Sequence, residues 1–172
     1  MYDILLSYIS LYTGPITIKW RKTMEVRETK KQDTACIKTT TPVEKLPEVF
    51  GKGYMEIMEV IGKQGIQPTG APYALYLNDD MSNLQIEFGF PVAGTVEKEG
   101  RVEPGELPGG QALVDIHEGP YDTIGDAYNR LMGFIKEKDL EPTGVSYEIY
   151  LNDPGETPPE KLKTEIYFPL YT

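Results

Sequence analysis

Acids and tyrosines alternate along the second half of this chain. Glu148 stands two residues before Tyr150, and Glu165 two residues before Tyr167. Side chains two apart on a strand share a face, so each pair sets a carboxylate beside a phenol ring. Tyr76 and Glu87 occupy comparable positions earlier in the chain. A carboxylate among aromatic rings suits a lipophilic cation, with charge pairing at the floor and cation–π contact at the walls. The same carboxyl group, screened from water, gains a raised pKa and becomes a candidate general base toward water or acid toward a leaving group. The 172-residue chain carries twelve tyrosines against five phenylalanines. Tyrosine joins a large apolar ring to one polar tip, a suitable lining for a small-molecule pocket.

Other reactive groups are sparse. Cys36, the single cysteine, lies between Ala35 and Ile37. It reads as a buried, inert thiol and excludes an internal disulfide framework. His117, the single histidine, precedes the Gly119-Pro120 turn and reads as a hydrogen-bonding partner of that turn. One histidine and one cysteine cannot form a Cys/His zinc site, so neither metal nor cofactor is expected. Gly51-Lys52-Gly53 lacks the spacing of a phosphate loop or a dinucleotide fingerprint. None of Ser7, Ser10, Ser82 and Ser146 sits in a Gly-x-Ser-x-Gly elbow. The net charge of −10 argues against direct nucleic-acid binding. The apolar run Ile4 to Tyr12 stops at Thr13-Gly14-Pro15, far short of the roughly 20 residues that span a bilayer. With no signal-peptide pattern either, the expectation is a cytoplasmic protein with no membrane partner.

The elements that must position these acids follow from an internal duplication. Gln67-Pro68-Thr69-Gly70 through Tyr76-Leu77-Asn78-Asp79 matches Glu141-Pro142-Thr143-Gly144 through Tyr150-Leu151-Asn152-Asp153 at an offset of 74. Phe50, Gly51, Tyr54, Ile57, Met58 and Ile61 match Ile124, Gly125, Tyr128, Leu131, Met132 and Ile135 at the same offset. Leu84 to Pro91 matches Leu162 to Pro169 at an offset of 78, the extra residues falling in the loop Pro154 to Pro159. Each copy reads as a β-rich run, an amphipathic helix and two alternating strands joined by an Asn-Asp loop. In the second copy Ile124, Tyr128, Leu131 and Ile135 form one stripe, and Gly119 to Thr123 supplies a turn and an N-cap.

The fold class expected is α+β: tandem duplicated βαββ repeats with pseudo-twofold symmetry, antiparallel sheets with helices on one face, and a central ligand cleft. Residues 1–23 read as an extension, either an added strand or a start-site artefact. Residues 24–172 form the domain, with repeats over about 24–94 and 101–172. The extension carries +2 (Asp3 against Lys19, Arg21 and Lys22) and the remainder −12. Alternation sorts the strand faces. Leu84, Ile86, Phe88 and Phe90 belong under a helix, as do Leu162, Thr164, Ile166 and Phe168. Tyr73, Leu75 and Leu77 are assigned with them, as are Tyr147, Ile149 and Leu151. The bare faces then present Tyr76 and Glu87 from one half and Glu148, Tyr150, Glu165 and Tyr167 from the other, converging on the cleft.

His117-Glu118-Gly119-Pro120-Tyr121, the Glu141-Pro142-Thr143-Gly144 turn, Tyr147 to Pro154 and Leu162 to Leu170 together resemble the GyrI-like family. That family includes the effector-binding domain of AraC-type and multidrug-responsive MerR-type regulators. The resemblance covers about residues 24–172 and implies the duplicated βαββ fold with a ligand cleft. It places Glu165 in that cleft, with Glu148 and Tyr167 as an acid-and-aromatic floor; Thr41-Pro42 stands where the family has Gly-Pro-Tyr. No helix-turn-helix segment fits in residues 1–23, so the resemblance implies a stand-alone sensor or sequestering domain for a hydrophobic, cationic or aromatic small molecule. Two alternatives stay open. One is a hydrolase of cyclopropanoid electrophiles using Glu165. The other is a protein–protein module whose partner is DNA gyrase or a regulator.

Overall fold

The structure is a computed structural model, and it describes residues 24–171. Both readings of residues 1–23 lie outside the described residues. The elements run β1 (Glu25–Thr29), β2 (Gln32–Thr41), α1 (Leu46–Lys63), β3 (Tyr73–Tyr76), β4 (Leu84–Pro91), β5 (Val102–Leu107), β6 (Gly110–Glu118), α2 (Gly125–Lys138), β7 (Ser146–Tyr150) and β8 (Lys163–Pro169). The fold is α+β, and the order β-α-β-β occurs twice. All eight strands join one sheet in the order β1-β6-β8-β7-β3-β4-β2-β5. Every pairing is antiparallel.

The duplication reaches individual hydrogen bonds. Asn78 Oδ1 accepts from the Gln85 amide at 2.9 Å while its Nδ2 donates to the Asn83 carbonyl at 3.1 Å. Asn152 repeats the clasp on Lys163 and Lys161, both at 2.9 Å. The side chain bridges its loop independently of loop length, so the longer second loop is accommodated. Thr69 and Thr143 each donate a backbone N–H to the closing proline of their own copy, Pro91 and Pro169, at 2.8 Å.

Both helices lie on one face of the sheet. α1 buries Gly53, Ile57, Val60 and Ile61, spaced as one helical stripe, over β2 and β4. α2 buries Ala127, Leu131 and Ile135 over β6. A one-turn helix precedes each, Val43–Lys45 after Pro42 and Tyr121–Thr123 after Pro120. The N-cap expected before α2 does not form. The Thr123 hydroxyl donates to the Pro120 carbonyl at 2.9 Å instead, so it serves the turn rather than the helix. Gly53 sets the depth of α1, because a Cβ there would run into the Phe88 ring. Phe88 is fully buried and cannot move aside. Gly53→Ala is therefore expected to destabilise by about 1–2 kcal/mol in chemical denaturation, overpacking outweighing the gain in helix propensity.

The chain path forces the sheet to curl. β1 and β2 are joined by residues 30–31, yet six strand spacings separate them in the sheet order. In a flat sheet that is roughly 29 Å, whereas three residues reach at most about 11 Å. β5 and β6 make the same crossing through residues 108–109. The two ends of the sheet are thus drawn together, and the surface turned away from the helices becomes a second interior. Cys36, Tyr73, Leu75, Leu107, Ala112, Val114, Tyr147 and Tyr167 fill it.

This second interior corrects the sequence-based face assignment of β3 and β7. Tyr73, Leu75, Tyr147 and Ile149 point into the curl, away from the helices. Ala74, Tyr76 and Tyr150 pack on the helix side. Both surfaces of these central strands are buried, so apolar alternation no longer tells one from the other. The assignment of β4 and β8 holds, with Ile86, Phe88, Ile166 and Phe168 beneath the helices.

Candidate functional site

The six acids and tyrosines marked in the sequence do not converge on one cleft. The sheet divides them into two groups on opposite faces. Glu87, Glu165 and Tyr167 belong to the interior of the curl, and Tyr76, Glu148 and Tyr150 to the helix side.

In the curl each acid already has a partner. Tyr167 donates its hydroxyl to Glu165 Oε2 at 2.8 Å and accepts from Arg27 at 3.1 Å. The Arg27 guanidinium also reaches Glu165 Oε1 at 3.5 Å. Tyr167 stacks on Tyr147 with centroids 4.5 Å apart. In the other half the Tyr73 hydroxyl donates to Glu87 at 2.7 Å and receives the Thr34 hydroxyl at 2.8 Å. Lys38 lies 3.7 Å from Glu87. Beside this group burial pushes the Cys36 thiol up to about 12, so it stays protonated at neutral pH and unreactive, as read from its neighbours.

On the helix side α1 lies over β2 and β4 and α2 over β6, and the half-buried rings of Phe50, Tyr54, Tyr76, Tyr128 and Tyr150 stand about the central strands β3 and β7. Glu148 lies on this side of β7, among those rings, and is 6% exposed. Tyr128 of α2 donates to its Oε1 at 2.6 Å, and Tyr150 donates to its Oε2 at 2.8 Å. Tyr76 of β3 meets the Tyr150 hydroxyl at 3.5 Å. Tyr150 gives its proton to the carboxylate, so Tyr76 is the donor between the two phenols. Phe50 and Tyr54 of α1 extend the wall, with Phe50 and Tyr150 centroids 6.3 Å apart. Tyr121, partly exposed at the rim, meets the Tyr150 ring edge-on at 5.7 Å. His117 donates Nε2 to the Pro120 carbonyl at 3.0 Å and so holds the Tyr121 turn, the structural role expected for it. Gly119, at φ +136°, lets the chain double back there. Thr164 lies opposite Tyr150 in register, and its buried hydroxyl has no hydrogen-bond partner.

The duplication builds the walls. Tyr54 and Tyr128 are equivalent positions of α1 and α2, and Tyr76 and Tyr150 are equivalent positions of β3 and β7. β3 and β7 pair at the centre of the sheet, so the four rings surround the pseudo-twofold axis. Tyr54, Tyr128 and Tyr121 escaped the sequence reading. The first two match each other at the offset of 74, and Tyr128 stands there only as a member of a helical stripe.

The electrostatics follow from burial. Desolvation raises the Glu148 carboxyl above its ordinary value of 4.5, against the pull of the Tyr128 and Tyr150 hydroxyls and the His117 ring. Burial, then the nearby carboxylate, keeps the phenols of Tyr76, Tyr128 and Tyr150 protonated far above neutral pH. The arrangement is one buried acid ringed by neutral hydroxyl donors and aromatic faces.

The model of the GyrI-like small molecule binding domain matches residues 22–171. No curated protein matches the chain. Among solved structures, EcmrR in its DNA complex is 21% identical with a TM-score of 0.79, covering 100% of this chain and 65% of that one. The present chain thus spans less than two thirds of EcmrR. SAV2435 bound to tetraphenylphosphonium is 13% identical with a TM-score of 0.64, over 86% of this chain and 93% of that one. A structure described as a hydrolase from Listeria innocua is 13% identical with a TM-score of 0.60, over 96% and 98%. At these identities the likeness is one of fold.

Proposed function

This chain belongs to the GyrI-like small molecule binding domain family, and from that premise we propose that it binds a hydrophobic aromatic cation between α1 and α2, with Glu148 as the countercharge. The observation that carries this reading is the buried Glu148 carboxylate, its two oxygens held by Tyr128 and Tyr150. A cation entering between the rings gains cation–π contact and removes the cost of the lone buried charge. Phenols that now satisfy the carboxylate can turn their faces to the ligand. Glu165 fits this role less well, because the Arg27 guanidinium, held by Glu25 at 2.7 Å, also lies 3.5 Å from its carboxylate. The same ion pair weakens the alternative in which Glu165 activates water for hydrolysis.

The test is a calorimetric titration with tetraphenylphosphonium and its anionic isostere tetraphenylborate. The phosphonium is expected to bind at least tenfold more tightly than the borate. Glu148→Gln should weaken phosphonium binding by roughly tenfold to a hundredfold. Affinity should rise with pH through the titration of Glu148, because the cation selects the ionised form. Equal binding of the two ions, or no loss in Glu148→Gln, would refute the reading.

A further inference from the structure

The tyrosine walls are duplicated across the pseudo-twofold axis, but the acid is not. Ala74 is the equivalent of Glu148, and the two residues face each other directly in the β3–β7 register. Ala74 is fully buried and carries no polar group. Among the described residues the other buried acid on this face, Asp115, forms an ion pair with Arg130 at 2.8 Å. Among the described residues the space between the helices therefore holds one carboxylate, Glu148, without an ion-pair partner at contact distance. Asp153, whose field reaches Tyr121, is exposed at the rim and bonded to the Gly155 amide at 2.7 Å.

We infer that the cleft selects compact ligands carrying a single positive charge, and that Ala74 is the residue that sets this number. The inference rests on the proposed cation site and specifies the class of ligand. A compact dication would bring a second charge into the same enclosure with no carboxylate to meet it, and an unmatched buried charge is strongly unfavourable. A neutral ligand of the same shape would leave Glu148 without a countercharge. Binding should therefore peak at one charge, not increase with charge as it would on an open acidic surface.

A matched series of biaryls tests this at pH 8: 4-phenylpyridine (neutral), N-methyl-4-phenylpyridinium (one charge) and N,N′-dimethyl-4,4′-bipyridinium (two charges). The full chain is titrated with each by calorimetry. The monocation is expected to bind at least tenfold more tightly than either companion. In Glu148→Gln its advantage over the neutral compound should vanish. Ala74→Glu, if it folds, should shift the preference toward the dication; the wild-type series decides the matter even if that variant does not fold. A dication that binds as tightly as the monocation, or tighter, overturns the inference and leaves the cation site standing. Failure of both biaryl cations to bind while tetraphenylphosphonium does also overturns it. Failure of tetraphenylphosphonium as well removes the underlying site and the inference with it.

Discussion

Glu148→Gln is expected to flatten the dependence of folding stability on pH while preserving the fold. The native carboxyl has its pKa raised by burial from an ordinary value of 4.5. Between the unfolded and folded values the native state therefore binds a proton that the unfolded chain has released. Stability contributed by this group is fully present below the unfolded value. It declines as pH rises through the window up to the folded value, then stays constant. One proton limits the slope to about 1.4 kcal/mol per pH unit. Glutamine keeps the shape and an acceptor for Tyr128 or Tyr150 but cannot titrate. Urea denaturation of both proteins from pH 4 to pH 9 should give curves that converge at acid pH and separate at alkaline pH, with the variant the more stable. Parallel curves would show that Glu148 is ionised throughout and that its phenol donors outweigh its burial.

A larger loss of stability is expected at Gly89. It lies on β4 between Cys36 of β2 and Tyr73 of β3. A Cβ at this position would overlap the Ala35 carbonyl and crowd the Cys36 backbone. The obstruction is main chain in a central ladder, so no rotamer change relieves it. Gly89→Ala should cost roughly 3 kcal/mol or more, or prevent folding. Circular dichroism and denaturation would measure it. A variant with wild-type stability would mean that β2 and β4 can separate locally, against the close approach seen here. The equivalent position in the other copy is Tyr167, where a full side chain fits. The constraint at Gly89 thus belongs to one half only.

The repeat offsets carried most of the architecture. They give two βαββ units, and the equivalences extend to the asparagine clasps and to the prolines that close each copy. Burial on β4 and β8 was also legible, because Gln85, Lys163 and Glu165 alternate with Leu84, Ile86, Leu162, Ile166 and the small Thr164. β3 and β7 misled for a physical reason. Tyr73 and Tyr147 are large and apolar, which suits the underside of a helix, but they fill the interior made when the sheet curls on itself. Nothing in a strand's own pattern reports a second interior created by connections elsewhere in the chain. The misassignment set Glu148 and Tyr150 beside Glu165 and Tyr167, although Glu148 and Ile166 are the register partners. The walls from α1 and α2 were visible only as repeated tyrosines whose spacing also fits a core stripe. Arg27, which reaches Glu165 at 3.5 Å, lies far away in sequence and could not be paired with it by pattern.

The crossing of residues 30–31 with residues 108–109 has an evolutionary reading. β1 is contiguous with the first copy but pairs with β6 of the second, and β5 is contiguous with the second but pairs with β2 of the first. Each copy lends its outer strand to the other, the arrangement of a swapped dimer fused into one polypeptide. A single ancestral unit would have needed a twin to complete its sheet. Gene fusion would then have fixed the pairing and freed the two halves to diverge, so that one now carries an alanine where the other carries an acid.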